Sequence, residues 1–347
     1  MKNKKLVSAI LILLVIVIVF SWAVFGKKYN LQLLTKFTIP GITLNPNHRV
    51  LDGYAVSFAL SDSLIYVTDA SDTTHTKSYC YSYSGEPYNQ FQFPADKGYG
   101  EVFVDKNLYY LPQSNLLAYV FWQNKQIDYY STDGMHIRTD FPFDDQNDII
   151  NLVEYDHKIY YTSMSASKKK PRKSMALMQL HQEQPDQAPK ELKNVDITQE
   201  SINKHFSYRS LMLDDNSKDA MLLLENQFDK PHASLYRNNT TTEFEIKAPR
   251  VFSIYFMDKL PLQVDKGLSK EPYQLVLGQD FLIIGSWRKL NREYPLVQRI
   301  YNLKGHYLGK LKFKDDPQNE LIDIIDDRLV AFNPAKGIVS IYSISLK

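Results

Sequence analysis

The chain has 347 residues, 44% of them hydrophobic and 23% charged, with 41 Lys and Arg against 39 Asp and Glu. A net charge of +2 carries no polyanion-binding bias, so a general nucleic-acid role has little support. A single cysteine rules out an intrachain disulfide and a cysteine-rich zinc fold, while 24 Tyr and 18 Phe favour β-structure.

The first thirty residues differ from the rest. Leu6 to Phe25 is an uncharged run of 20 residues. As a helix rising 1.5 Å per residue it spans the roughly 30 Å hydrocarbon core of a bilayer. The competing reading is a cleaved signal peptide. Against it, the run is longer than the usual apolar core of about 7–15 residues. Ser21-Trp22-Ala23-Val24-Phe25-Gly26 also lacks a clean small-x-small site. We read Leu6–Phe25 as an uncleaved membrane anchor. Lys2, Lys4 and Lys5 precede it with the amino terminus, and Lys27 and Lys28 follow. The positive-inside bias then predicts a short cytoplasmic tail and an extracytoplasmic remainder, periplasmic or at the cell surface. The expected division is 1–30 for tail, anchor and linker, and 31–347 for one domain.

Beyond residue 30 the hydrophobic period is two in most windows, and one shape recurs: apolar strand, polar turn, apolar strand. It occurs at Ser57–Thr68, Glu101–Pro112, Leu152–Ser163, Ser210–Glu225, Gln274–Ser286 and Leu321–Pro334. The turns centre near Asp62, Lys106, His157, Asp215, Gln279 and Asp327. A second hairpin follows most of them, turning at Gly85, at Asp133-Gly134, at Asn238-Asn239 and at Lys304-Gly305. The third unit is weaker, with a strand at Met175–Leu180 and a long polar turn at Gln182–Pro189. Four strands per unit predict an all-β, six-bladed β-propeller, because one such sheet cannot bury both faces until its neighbours stack on it.

The last unit supplies strands in Leu321–Pro334 and Gly337–Ile344 but lacks a fourth. Leu31–Pro40 is a lone strand ending Phe37-Thr38-Ile39-Pro40, much like Phe91-Gln92-Phe93-Pro94 at the end of the first unit. The N-terminal strand is therefore expected to complete the C-terminal blade and remove two open edges. With its repeat shape and strand-turn patterns such as Asp326-Asp327-Arg328-Leu329-Val330, residues 31–347 resemble bacterial six-bladed propeller proteins of the TolB-like and NHL-like type. The resemblance implies a fold and a common role in binding, not a reaction.

Local chemistry is sparse. No HxH, HExxH or GxSxG pattern and no Asp-x-Asp-x-Asp-Gly loop occurs. Cys80 stands in an alternating strand without an adjacent base. Acids recur at the first turns, at Asp62, Asp105, Asp156, Asp214, Asp215, Asp280, Asp326 and Asp327. They read as a calcium-binding ring or, more simply, as residues suited to tight turns. No cofactor and no catalytic residue is assigned.

Two basic loops fall between the second and third strands of their units. Ser167–Lys173 carries Lys168, Lys169, Lys170, Arg172 and Lys173, and Trp287–Arg292 carries Trp287, Arg288, Lys289 and Arg292. A third segment at that position, Leu116–Trp122, is either an apolar loop or a continuing strand. Val195–His205 is a candidate short helix, and Pro249–Pro272 an aromatic-rich insertion between units four and five. The tight turns should share one face, and that face or its adjoining side should sit near the bilayer, with the basic loops on the opposite face pointing away from it. These features together predict a membrane-anchored, extracytoplasmic propeller that binds a protein with an acidic surface or scaffolds an assembly. The alternative is a propeller hydrolase with a metal at the axis, which requires Asp, Glu, Asn or His converging there.

Overall fold

The structure is a computed structural model that describes residues 29–40, 56–69, 75–94, 108–121, 126–141, 147–166, 173–180, 189–197, 210–215, 219–226, 231–247, 251–252, 264–265, 272–286, 297–315, 321–333 and 336–347. After β1 (Tyr29–Thr38), blade 1 is β2 (Val56–Leu60), β3 (Leu64–Asp69), β4 (His75–Ser82) and β5 (Pro87–Pro94). Blade 2 is β6 (Leu108–Leu111), β7 (Leu116–Phe121), β8 (Gln126–Ser131) and β9 (His136–Asp140). Blade 3 is β10 (Asn147–Tyr155), β11 (Lys158–Ala166), β12 (Lys173–Gln179) and β13 (Lys190–Ile197). Blade 4 is β14 (Ser210–Asp215), β15 (Ala220–Asn226), β16 (His232–Arg237) and β17 (Thr240–Glu245). A small pair, β18 (Val251–Phe252) with β19 (Val264–Asp265), precedes blade 5, which is β20 (Pro272–Leu277), β21 (Phe281–Ser286), β22 (Val297–Asn302) and β23 (Tyr307–Lys310). Blade 6 contains β24 (Leu321–Ile325), β25 (Arg328–Asn333) and β26 (Ile338–Leu346).

Blades 1 to 5 are consecutive antiparallel meanders, and blade 6 has the order β1-β26-β25-β24. The ring therefore closes as the sequence predicts. β1 pairs with β26 from Tyr29 opposite Leu346 to Thr38 opposite Ile338, and Ile39 donates a further 2.8 Å bond to the carbonyl of Gly337. The strand begins at Tyr29, two residues before the expected boundary. The innermost strands follow one another around the axis as β2, β6, β10, β14, β20, β24 and back to β2.

Burial explains the strand sequences. Each of six apolar clusters lies between two neighbouring blades, such as Ile65, Val67, Phe332 and Ile341 between blades 1 and 6, or Leu222, Leu224, Ile284 and Tyr301 between blades 4 and 5. Second strands are covered on both faces, so β3 (LIYVTD), β7 (LLAYVF) and β25 (RLVAFN) are buried at almost every position and lose the period of two. β1 is an outer strand, and its burial alternates residue by residue.

The same argument corrects the reading of blade 2. Its first turn is at Pro112–Asn115, with Asn115 at φ 55°, and not near Lys106. Leu116–Phe121 is the second strand rather than a loop: its unbroken apolar run fills a position sandwiched between blades. The remainder of Glu101–Pro112 before Leu108 lies outside the described residues. The helix expected over Val195–His205 is strand as far as Ile197, and the rest of that segment is likewise outside them. No helix among the described residues is long and apolar enough to cross a membrane, and Leu6–Phe25 is not among those residues.

Outer strands meet the next blade at its third-to-fourth turn. Phe37 of β1 lies over the Gly85 turn, and Phe91 of β5 lies over the Gly134 turn. At Gly305, φ is +74° and an added Cβ would stand 1.9 Å from the carbonyl oxygen of Glu245 on β17. Only glycine fits that close approach of one backbone to another.

Candidate functional site

The inner strands end at the axis, where their first-to-second turns form a mouth lined by Ala59, Leu60, Tyr110, Pro112, Asp214, Asp215, Asp323, Ile324 and Ile325. The opening is about 30 Å³, room for a water or two. Acids reach it because inner strands finish on the turn residues that Asp favours. Most of them already have work to do. Asp214 is buried, and its Oδ2 accepts a 2.6 Å bond from the Leu277 N–H of the next blade. Asp215 Oδ2 accepts from the Glu154 N–H at 3.3 Å.

Glu154, also buried, repeats the pattern one blade back. Its Oε2 accepts from the N–H groups of Gln113 and Ser114 at 2.7 and 3.0 Å, clamping the blade 2 turn to β10. Gln113 Oε1 accepts in turn from the His157 N–H. Charge-assisted bonds to backbone donors are the stronger class, and losing them leaves two partly buried N–H groups without this acceptor. Glu154→Ala should therefore destabilise the domain by about 2–4 kcal/mol, and Glu154→Gln by clearly less, because its amide oxygen still accepts. Denaturant midpoints of the two variants check this.

The mouth is electronegative. Burial pushes the Tyr110 hydroxyl up to about 12, with the charges of Asp62 and Glu154 adding to it. Burial likewise pushes the Tyr83 hydroxyl up, helped by Asp323 and opposed by the nearby Arg328, whose guanidinium sits 5.0 Å over the ring. Tyr83 donates to the Ser61 carbonyl at 2.7 Å, joining a third-to-fourth turn to a first-to-second turn. Arg237 Nη2 does the same across blades, donating to the Gln279 carbonyl at 2.9 Å. Both kinds of tight turn thus occupy one face.

The acids marked in the sequence behave mainly as turn and blade-joining residues. Asp156 and Asp326 adopt φ of 51° and 53°, and Asp214 and Asp215 bind backbone N–H groups. Asp105 lies outside the described residues. Among the described residues no three His, Cys, Asp or Glu side chains are grouped to hold a metal ion. Cys80 is buried, and burial raises its thiol to about 12, so at neutral pH it is protonated and a poor nucleophile.

Of the residues assigned to partner binding, Lys168, Lys169, Lys170, Arg172, Trp287, Arg288, Lys289 and Arg292 lie outside the described residues, and Lys173 opens β12. Their flanking strands are defined. β11 and β12 pair out to Ala166 opposite Lys173, and β21 and β22 out to Ser286 opposite Val297. In an antiparallel meander those ends are on the face opposite the tight turns. Glu154, Tyr110 and Asp323 were not singled out in the sequence. Glu154 sits within an alternating strand, and its partners are about forty residues away, so no local spacing marks it.

Six four-stranded sheets set radially, with their inner strands around one axis, define a six-bladed β-propeller. No family model and no curated protein matches the chain. Solved structures do. Virginiamycin B lyase from Staphylococcus aureus is similar at 10% identity and a TM-score of 0.47, over 92% of this chain and 100% of that one. An exported protein from Bacteroides fragilis is similar at 12% identity and 0.46, over 92% and 96%. Hydrazine synthase from Kuenenia stuttgartiensis is similar at 7% identity and 0.45, over 84% and 83%. At such identity the likeness is one of fold alone.

Proposed function

We propose that this propeller, of the TolB-like or NHL-like type, is held at a membrane by Leu6–Phe25 outside the cytoplasm and serves as a protein-binding or assembly-scaffold module. One observation carries the reading. The two cation-rich loops, 167–173 and 287–292, both connect second strands to third strands, so they spring from the same face of the ring. Arg and Trp are enriched at binding hot spots, and a basic surface selects an acidic partner. On the opposite face, turn-to-turn hydrogen bonds such as Tyr83 to the Ser61 carbonyl and Arg237 to the Gln279 carbonyl join the tight turns to one another.

Replacing Lys168, Lys169, Lys170, Arg172, Arg288 and Arg292 with Ser should weaken capture of the partner from native membranes and flatten its salt dependence, with the unfolding midpoint unchanged. Equal capture at low and high salt by both proteins would rule the loops out. Protease applied outside sealed spheroplasts should digest the propeller, and protection there would reverse the orientation.

A further inference from the structure

The outer strand of a blade is a sheet edge, and natural edges are guarded by charge. Blades 3 and 4 obey: β13 reads KELKNVDI and β17 reads TTTEFE. Blades 6 and 1 do not. β1 reads YNLQLLTKFT and β5 reads PYNQFQFP, so Lys36 is the sole charge on either strand. Glu86 and Asp96 flank β5 in sequence, and on blade 2 the outer strand β9 reads HIRTD, with Arg138 and Asp140 paired to each other at 3.6 Å.

Exposed apolar groups gather on the same arc. Leu34 on β1 is 52% exposed and Tyr88 on β5 is 65% exposed. On blade 2, Met135, Ile137 and Phe141 are 63%, 45% and 66% exposed. Blades 1 and 2 are continuous there, because Asn89 Nδ2 donates to the Asp133 carbonyl at 3.2 Å and Phe91 covers Gly134. Leu192 on blade 3 is the one further large apolar side chain so exposed among the described residues, and blades 4 and 5 have none.

The chain itself says what covers this edge. β1 is part of it, and only Gly26, Lys27 and Lys28 separate Tyr29 from the uncharged run ending at Phe25. Fully extended, the step from Phe25 to Tyr29 reaches about 14 Å. Resting on the membrane-anchor reading above, we propose that the rim of blades 6, 1 and 2 lies edge-on against the lipid headgroup layer, with Leu34, Tyr88, Met135, Ile137 and Phe141 as its contacts. Tyr, Asn, Gln and Thr beside apolar side chains suit that layer, where Tyr is enriched. The contact is shallow. The unpaired N–H and C=O groups of an open edge need water and do not enter the hydrocarbon, whereas side chains of a surface-lying element reach about 5–10 Å into the headgroup–acyl boundary.

The test uses the full chain in phosphatidylcholine vesicles, with one environment-sensitive dye at Tyr88→Cys, Met135→Cys or Ile137→Cys, and at Thr242→Cys on blade 4 as the comparison. Native Cys80 is buried and takes no dye in the folded protein. The expected result is flotation with the vesicles, and a loss of emission to a headgroup-level quencher several-fold greater at 88, 135 and 137 than at 242. A quencher placed deep in the acyl chains should act much more weakly. A chain that floats but shows equal, weak quenching at all four positions overturns the edge contact and leaves the anchor standing. A chain that does not float overturns the anchor and the edge contact with it. Efficient disulfide cross-linking between two copies of the Tyr88→Cys variant, without quenching, assigns the edge to a second copy and overturns the lipid assignment.

Discussion

Deleting residues 29–40 should abolish cooperative unfolding of the propeller. The strand covers β26 from Ile338 to Leu346, and its loss opens that whole edge. It also removes Tyr29 and Ile39, which are 2% and 1% exposed and belong to the clusters on either side of blade 6. Removing a buried side chain of either size costs about 2–5 kcal/mol. Two such losses, together with the lost strand pairing, rival the total stability of an ordinary domain, about 5–15 kcal/mol. Near-ultraviolet circular dichroism during heating reads the result. A sharp transition at the parent temperature would mean that the ring does not depend on its N-terminal strand.

Phe93→Ala should cost about 3–5 kcal/mol, the upper range for truncating one core side chain. Phe93 lies near the end of β5 and is fully buried between blades 1 and 2. Its ring stacks on Tyr119 at 4.5 Å and meets Tyr130 and Phe91 edge-on at 4.7 and 5.2 Å. Such pairs add to simple burial, and neighbours held in strands have little freedom to collapse into the cavity. Phe37 on β1, which corresponds to Phe91 rather than to Phe93, is only half-buried, so Phe37→Ala should cost clearly less. Urea midpoints at constant slope separate the two, and equal losses would contradict this packing.

Much of the architecture is legible because each blade repeats a local signal. The turns at Gly85, Gly134, Asn238-Asn239 and Gly305 all adopt the positive φ that their residues invite, so hairpins could be located one by one. Closure could be read from a missing strand at one end and a spare one at the other. Blade 2 misled because LLAYVF has no period. A strand covered on both faces gives up the alternation by which strands are recognised, and the apolar run then resembles an insertion. The axial mouth was half legible. Asp214 and Asp215 stood out as turn residues, but their partners are backbone N–H groups on other blades, and backbone donors leave no trace in residue identity. Glu154 was hidden for the same reason, since Gln113 and Ser114 become its neighbours only once two blades stack.

The pairing of Tyr29 with Leu346 also sets a timetable. A ribosome makes β1 well before its partner, with about three hundred residues between the two strands. At roughly 5–20 residues per second the first strand waits on the order of 15–60 s for its mate. Blades 1 to 5 are built from neighbours in sequence and can form in order as they emerge, but the sixth cannot close until β26 has emerged. Loop closure over such a span is slow, and the waiting strand is uncharged but for Lys36. A factor that shelters β1 during synthesis would therefore act on the nascent chain and have no purchase on the finished ring.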